Sequence, residues 1–266
     1  MSLTPSLRPD SNVAVVGASG GIGRAFVELL AGDARVHRVH ALCRVPGEWG
    51  QDKVVPHHLD LTDEGTIEAA AAAASSDVPL DLVIVATGIL HRGERIRPEK
   101  AMREIDPENL AEVLSVNSIG PSLVAKHFLP KLRRDSKAVF AALSARVGSI
   151  GDNRLGGWTA YRMSKAALNM LVRTMAIEQA RTAPESVVVA LHPGTVATEL
   201  SKPFTARVPT TQLFEPRMAA GRLLGVLDGL RSDQTGGFFA YDGTRIDYCS
   251  PGQTSPKAAN RRRIPG

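Results

Sequence analysis

Residues 12–24 read NVAVVGASGGIGR, an apolar, β-branched run that ends in a glycine-rich turn. The next twelve-residue run, GIGRAFVELLAG (21–32), repeats its apolar side chains at helical spacing. Strand, turn and helix therefore follow one another without a linker. Glycine lets the chain turn sharply and lets backbone amides come close to a ligand, while the first turn of the helix offers partial positive charge. Gly17, Ser19, Gly20, Gly21, Ile22 and Gly23 are therefore predicted to cradle a pyrophosphate. A glycine trio alone carries little weight, but its place directly after the first strand strengthens the reading.

Outward from this unit the same alternation continues. Runs rich in β-branched and aliphatic residues recur at 35–42, 53–59, 81–86, 138–143, 186–192 and 236–241, which makes seven predicted strands with 12–17. Several are apolar at successive positions, as expected where helices cover both faces of a parallel sheet. Helical patterns lie between them, including PENLAEVLSVNSIGPSLVAKHFLPKL (107–132) and WTAYRMSKAALNMLVRTMAIEQA (158–180). The predicted fold is a single-domain, doubly wound α/β structure with a mostly parallel seven-stranded sheet and helices on both faces. Its ligand crevice opens at the carboxyl ends of the strands.

The domain is expected over 12–250, between an N-terminal tail (1–11) and a basic C-terminal tail (251–266). Residues 201–215 (SKPFTARVPTTQLFE) lack periodicity and exceed a usual connection, so they are predicted to form a lid over the site. The 266 residues are 43% hydrophobic and 22% charged, which excludes disorder, collagen and coiled coil. No run approaches the ~18 apolar residues of a membrane helix, and the start does not read as a signal peptide, so a cytoplasmic protein is expected. Two cysteines exclude a disulfide framework and disfavour a metal site, so no metal is predicted. The net charge of +5 falls to +1 once Lys257, Arg261, Arg262 and Arg263 are set aside. The body is nearly neutral, and nucleic acid is not an expected partner.

Tyr161 and Lys165 stand four residues apart in a helical pattern and so share one helix face. A phenol beside an ammonium suits proton transfer to a carbonyl oxygen, since the charge favours the phenolate and lowers a pKa ordinarily near 10. The second strand ends at Leu42-Cys43-Arg44 with no acid to accept from ribose hydroxyls, and Arg44 offers a fork of donors to a phosphate.

Together, Gly17-x3-Gly21-x-Gly23, the YRMSK segment (161–165) and HPGTVAT (192–198) resemble the short-chain dehydrogenase/reductase family over about Asn12 to Asp242. GSIGDNRLGGWTAYRMSKAALN (148–169) and GGFFAYDG (236–243) resemble its carbonyl-reductase-like branch, which includes the C-factor and Sniffer types. The resemblance implies a Rossmann fold and an oxidoreductase that interconverts a carbonyl and a secondary alcohol. It implies NADP(H) as the preferred cofactor, with NAD(H) as the alternative, a small-molecule carbonyl or alcohol substrate, and a homodimer or homotetramer. Tyr161 would be the acid and base, Lys165 would tune it and hold the nicotinamide ribose, and the Asn117 carbonyl would hold a relay water. Asp60 and Leu61 would meet adenine, Gly88 would lie against the cofactor, and Pro193, Gly194, Val196 and Thr198 would orient the carboxamide.

Two departures from the family pattern stand out. The family's active-site serine is the second of Ser-Ser-x-x-Gly, but this chain reads Ser144-Ala145-Arg146-Val147-Gly148. Ser144 is the nearest substitute if the strand end bends, and Ser149 is a more remote one. Asn-Asn-Ala-Gly becomes Val85-Ala86-Thr87-Gly88. These changes leave open a rival reading, a dinucleotide-binding regulatory protein with weak or no turnover.

Overall fold

The structure is a computed structural model that describes residues 2–207 and 209–249. The basic tail lies outside the described residues. The chain forms β1 (Ser11–Val16), α1 (Gly21–Ala31), β2 (Val36–Cys43), β3 (Val54–His58), α2 (Glu64–Ala74) and β4 (Leu82–Val85). It continues through α3 (Pro107–Leu114), α4 (Gly120–Phe128), β5 (Ala138–Leu143), α5 (Thr159–Gln179) and β6 (Ser186–His192). Two short strands, β7 (Thr195–Val196) and β8 (Leu213–Phe214), precede α6 (Pro216–Gly229) and β9 (Phe238–Ala240).

The main sheet has the order β3-β2-β1-β4-β5-β6-β9, and every neighbouring pair is parallel. Successive residues of β4 divide between two cores. Val83 and Val85 face the layer holding Phe128, Leu168 and Val172, whereas Leu82 and Ile84 face the layer holding Phe26, Leu30 and Leu223. That two-sided burial is why the strand reads LVIV with no polar position. The strand order reverses between β1 and β4, and a crevice opens there beyond their carboxyl ends.

Three findings differ from the sequence expectations. Residues 2–11 do not trail from the domain: the Ser2 hydroxyl and the Leu3 amide donate to Asp33, Leu7 is buried, and Ser11 already belongs to β1. The single helix expected across 107–132 is divided by a π-helical turn at Ser115–Ile119. Within 201–215, Leu213–Phe214 pairs in parallel with Thr195–Val196, so the segment is anchored at its return.

A buried polar chain crosses the β1–β2–β3 edge. His40 meets His57 at 2.8 Å through Nδ1 and Asn12 Oδ1 at 2.9 Å through Nε2. Burial, with the neighbouring His57 and Arg38, lowers the His40 pKa from 6.5 to about 3. In the unfolded chain His40 takes up a proton below its ordinary 6.5, and in the folded chain it does so only near 3, so stability falls as pH drops through that window. Urea unfolding between pH 6.5 and 4.5 is expected to show a stability slope steeper by about 1.4 kcal/mol per pH unit than in His40→Gln. Equal slopes would reject the neutral buried ring.

Candidate active site

Backbone geometry builds the phosphate turn. Gly17 has φ +88°, and a Cβ on Gly23 would stand 2.0 Å from the Gly17 carbonyl oxygen, so the turn closes only with glycine there. Gly20, the residue before α1, places no side chain on the helix amides. A cavity of about 720 Å³ opens in front of them, within the range of small-molecule and cofactor sites. Of the candidate cofactor residues, Gly17, Ser19, Gly20, Arg44, Asp60, Leu61 and Gly88 line it. Arg44 is exposed. One Asp60 oxygen accepts from the Thr62 amide and hydroxyl, which with nearby Arg44 and His58 hold its carboxyl below the usual range. Asp63, not Asp60, caps α2.

The cavity also contains Thr87, whose buried hydroxyl has no hydrogen-bond partner. An orphaned donor, uncapped helix amides and a glycine cradle are together the donor set that a dinucleotide phosphate requires. The residues present fit such a cofactor.

α5 carries Tyr161 and Lys165 inward. Its start is pinned from outside the helix: buried Glu99 accepts from the Ala160 amide, and Trp158 adopts a left-handed φ of 53° before the first turn. Arg162 donates to the Gly156 and Gly157 carbonyls and braces that turn. Tyr161 and Lys165 are both buried, with Lys165 Nζ 5.8 Å from the centre of the Tyr161 ring. Nζ donates to the Leu143 carbonyl at 2.9 Å. A Cβ on Gly88 would lie 3.4 Å from both Lys165 Nζ and Asn117 Oδ1, which brings the Lys165 amine close to the wall of the larger cavity.

The expected acidic phenol is corrected here. Burial raises the Tyr161 pKa above its ordinary value and lowers that of Lys165 to about 8. Desolvation outweighs the attraction between the pair, since both charged forms lose water and the Lys165 amine is bonded to a main-chain carbonyl instead of the phenol.

Asn117 lies in the π-helical turn and faces the end of β4. Its side chain accepts from the Ile89 amide at 2.8 Å and donates to the Ile89 carbonyl at 2.8 Å and the Ser164 hydroxyl at 3.0 Å. The extra residue of the π turn aims that amide at the strand exit, so Asn117 splints β4 to α5.

A second cavity of about 280 Å³ has Tyr161 in its wall. Of the candidate site residues, Ile22, Ser144, Pro193, Gly194, Val196 and Thr198 line this cavity and not the larger one, together with Ala145. Ser144 is buried and donates its proton to Asn169 Oδ1 at 2.7 Å. Ser149 is turned away, bonded to the Asp247 carbonyl at 2.6 Å. Ser201 and Phe204 of the predicted lid contribute to the same wall.

Gly21 and Gly23 shape the turn without lining either cavity, and Gly21 packs against the Thr198 methyl. Sequence reasoning missed Thr87 and Trp158 as lining residues and Glu99 as the remote cap of α5. Thr87 was noted only as part of an altered motif. Glu99 lies 61 positions from Ala160, and no local spacing signals that contact.

A model of the short chain dehydrogenase family matches residues 11–209. The chain is 31% identical over 241 residues to 1-hydroxy-2-glutathionyl-2-methyl-3-butene dehydrogenase of Rhodococcus sp. (strain AD45), across 90% of this chain and 100% of that protein. It is 39% identical over 149 residues to C-signal of Myxococcus xanthus, across 56% of this chain and 84% of that protein. Among solved structures, NADPH-bound carbonyl reductase from chicken fatty liver superposes with a TM-score of 0.77 at 30% identity, across 90% of this chain and 99% of that one. Motif order, sheet topology and full-length similarity thus agree, and the chain belongs to the short-chain dehydrogenase/reductase family of oxidoreductases.

Proposed function

We propose that this oxidoreductase prefers NADP(H) and interconverts a carbonyl and a secondary alcohol, with Tyr161 as acid and base. The observation that carries the reading is the burial of Tyr161 and Lys165 on one face of α5, with Tyr161 in the wall of the smaller, mostly apolar cavity and Lys165 Nζ 3.4 Å from where a Cβ on Gly88, in the wall of the dinucleotide-sized one, would stand. The cofactor, when bound, supplies the hydride. Tyr161, kept protonated by burial, gives its proton to the carbonyl oxygen and recovers one in the reverse direction. Lys165 sits where its amine can leave the Leu143 carbonyl for a ribose hydroxyl and the phenol. The Asn117 main chain, in the π turn, is the proposed holder of a relay water. The Pro193–Thr198 turn orients the carboxamide, and Ser144 reaches substrate only by exchanging its bond to Asn169. An intact, buried Tyr161–Lys165 pair favours turnover over a purely regulatory role.

NADPH with a panel of aldehydes, ketones and quinones tests the reading. Turnover is expected, and tight nucleotide binding without turnover on any compound would overturn it.

Arg44 supports the NADP(H) preference, since it lines the cavity beyond β2 and the strand end Leu42-Cys43-Arg44 carries no acid. A charge-assisted bond to phosphate is worth about 1.5–3 kcal/mol. Arg44→Asp removes it and adds repulsion, so the NADPH-to-NADH ratio of kcat/KM is expected to fall about 100-fold. An unchanged ratio would refute the assignment.

Met163, Met170 and Ile177 recur every seven residues on α5 and are 46%, 67% and 48% exposed, with Ile119 55% exposed on the preceding turn. Such an apolar stripe on one helix is the proposed homodimer seam. Met170→Glu is expected to shift the sedimentation coefficient from dimer to monomer, and a wild-type monomer would reject the seam.

A further inference from the structure

Two hydrogen-bond donors face the smaller cavity without partners. His192, at the end of β6, lines it, and its Nδ1 is buried with no hydrogen-bond partner. Arg146, in the turn after β5, lines the same cavity, and its guanidinium has no ion pair or hydrogen bond among the described residues. A buried polar atom left unpaired costs about 1–3 kcal/mol, so it marks a place where a ligand atom is gained at little desolvation cost.

The chemistry of the two groups is complementary. Burial, with the Arg146 charge nearby, holds the His192 ring neutral, with a pKa of about 4. A neutral imidazole has one N–H to donate, and a guanidinium donates a fork of N–H groups. Asp152 and Asp242 act on His192 more weakly than Arg146 does, and neither lines the cavity. Trp158 and Phe204, with rings 5.1 Å apart, give the wall a large apolar share beside the hydroxyl side chains of Ser144, Thr195, Thr198 and Ser201. Among the described residues of this lining Arg146 is the one cation, and no carboxylate stands with it.

We propose that Arg146 and His192 form a carboxylate-binding subsite, so that the favoured substrates are carbonyl compounds bearing a carboxylate away from the reacting carbon. The guanidinium donates to one or both oxygens, and the neutral His192 ring donates its one N–H to an oxygen. Trp158 and Phe204 hold the apolar body between this subsite and Tyr161. This inference rests on the reading of Tyr161 as the proton donor.

4-Acetylbenzoate and acetophenone differ only by that carboxylate and serve as matched probes with NADPH. The wild type is expected to favour 4-acetylbenzoate by about tenfold in kcat/KM, carried by KM. Arg146→Ala and His192→Phe should each bring the ratio close to one, and Arg146→Lys should restore part of it. Arg146 is exposed, so its variants test the subsite even where His192→Phe fails to fold. A wild-type ratio of one or less, or a ratio kept in both variants, would overturn the subsite while leaving carbonyl reduction intact. Calorimetric titration of 4-acetylbenzoate separates the two claims: binding that weakens about tenfold in Arg146→Ala without turnover of either probe would retain the subsite and reject Tyr161 chemistry.

Discussion

Replacing Tyr161 by phenylalanine is expected to lower carbonyl turnover by about 10²- to 10⁴-fold, the usual contribution of a positioned acid. NADPH affinity should be nearly unchanged. The substitution removes one hydroxyl and keeps the ring, which packs edge-on to Trp158 at 6.4 Å and lies under Lys165 at 5.8 Å. Cavity walls and the start of α5 are therefore preserved, since Glu99 and Arg162 hold that start through backbone atoms. Steady-state NADPH oxidation measures the first quantity and nucleotide fluorescence titration the second. Wild-type turnover in the variant would remove Tyr161 from the reaction.

The second large effect is predicted for Gly23→Ala. The new methyl would lie 2.0 Å from the Gly17 oxygen, 2.8 Å from the Gly17 carbonyl carbon and 3.3 Å from Ala18 Cα. These are main-chain atoms of the phosphate turn, and none can rotate aside. Relief requires the turn to move off α1, which spreads the amides that face the cofactor. NADPH affinity is expected to fall at least about 100-fold, roughly one to two lost charge-assisted bonds. Overpacking of about 1–3 kcal/mol should also lower Tm by several degrees. Gly225→Ala is the control: nothing lies within 4 Å of that Cβ on α6, so the change should raise stability by about 0.5–1 kcal/mol without touching nucleotide binding. Equal nucleotide affinity in Gly23→Ala and wild type would show that the turn is not the phosphate cradle.

Much of the fold was legible because its information is local. The uninterrupted LVIV of β4 announces a strand buried on both faces, and the glycine turn between a β-branched run and an amphipathic run announces the crevice. The Tyr161–Lys165 spacing places both side chains on one face whatever surrounds them. Where contacts join distant segments, the same reading ran out. Whether Ser144 replaces the hydroxyl missing at Ala145 depends on Asn169, 25 residues later, which accepts the Ser144 proton. The break at Ser115–Ile119 is invisible to periodicity, because the apolar pattern continues through it while the Asn117 amide bonds to Ile89.

The sequence by itself determined the strand–turn–helix unit, the order of the layers and the face of α5 that carries Tyr161 and Lys165. These follow from backbone freedom at glycine and from the periods of strand and helix. Only the tertiary structure decided the protonation of that pair, the engagement of Ser144 and the unpaired donors Arg146 and His192. Each depends on how much water the packed chain removes and on which distant atoms it brings within reach, and desolvation belongs to the whole surround of a group, not to its neighbours in sequence.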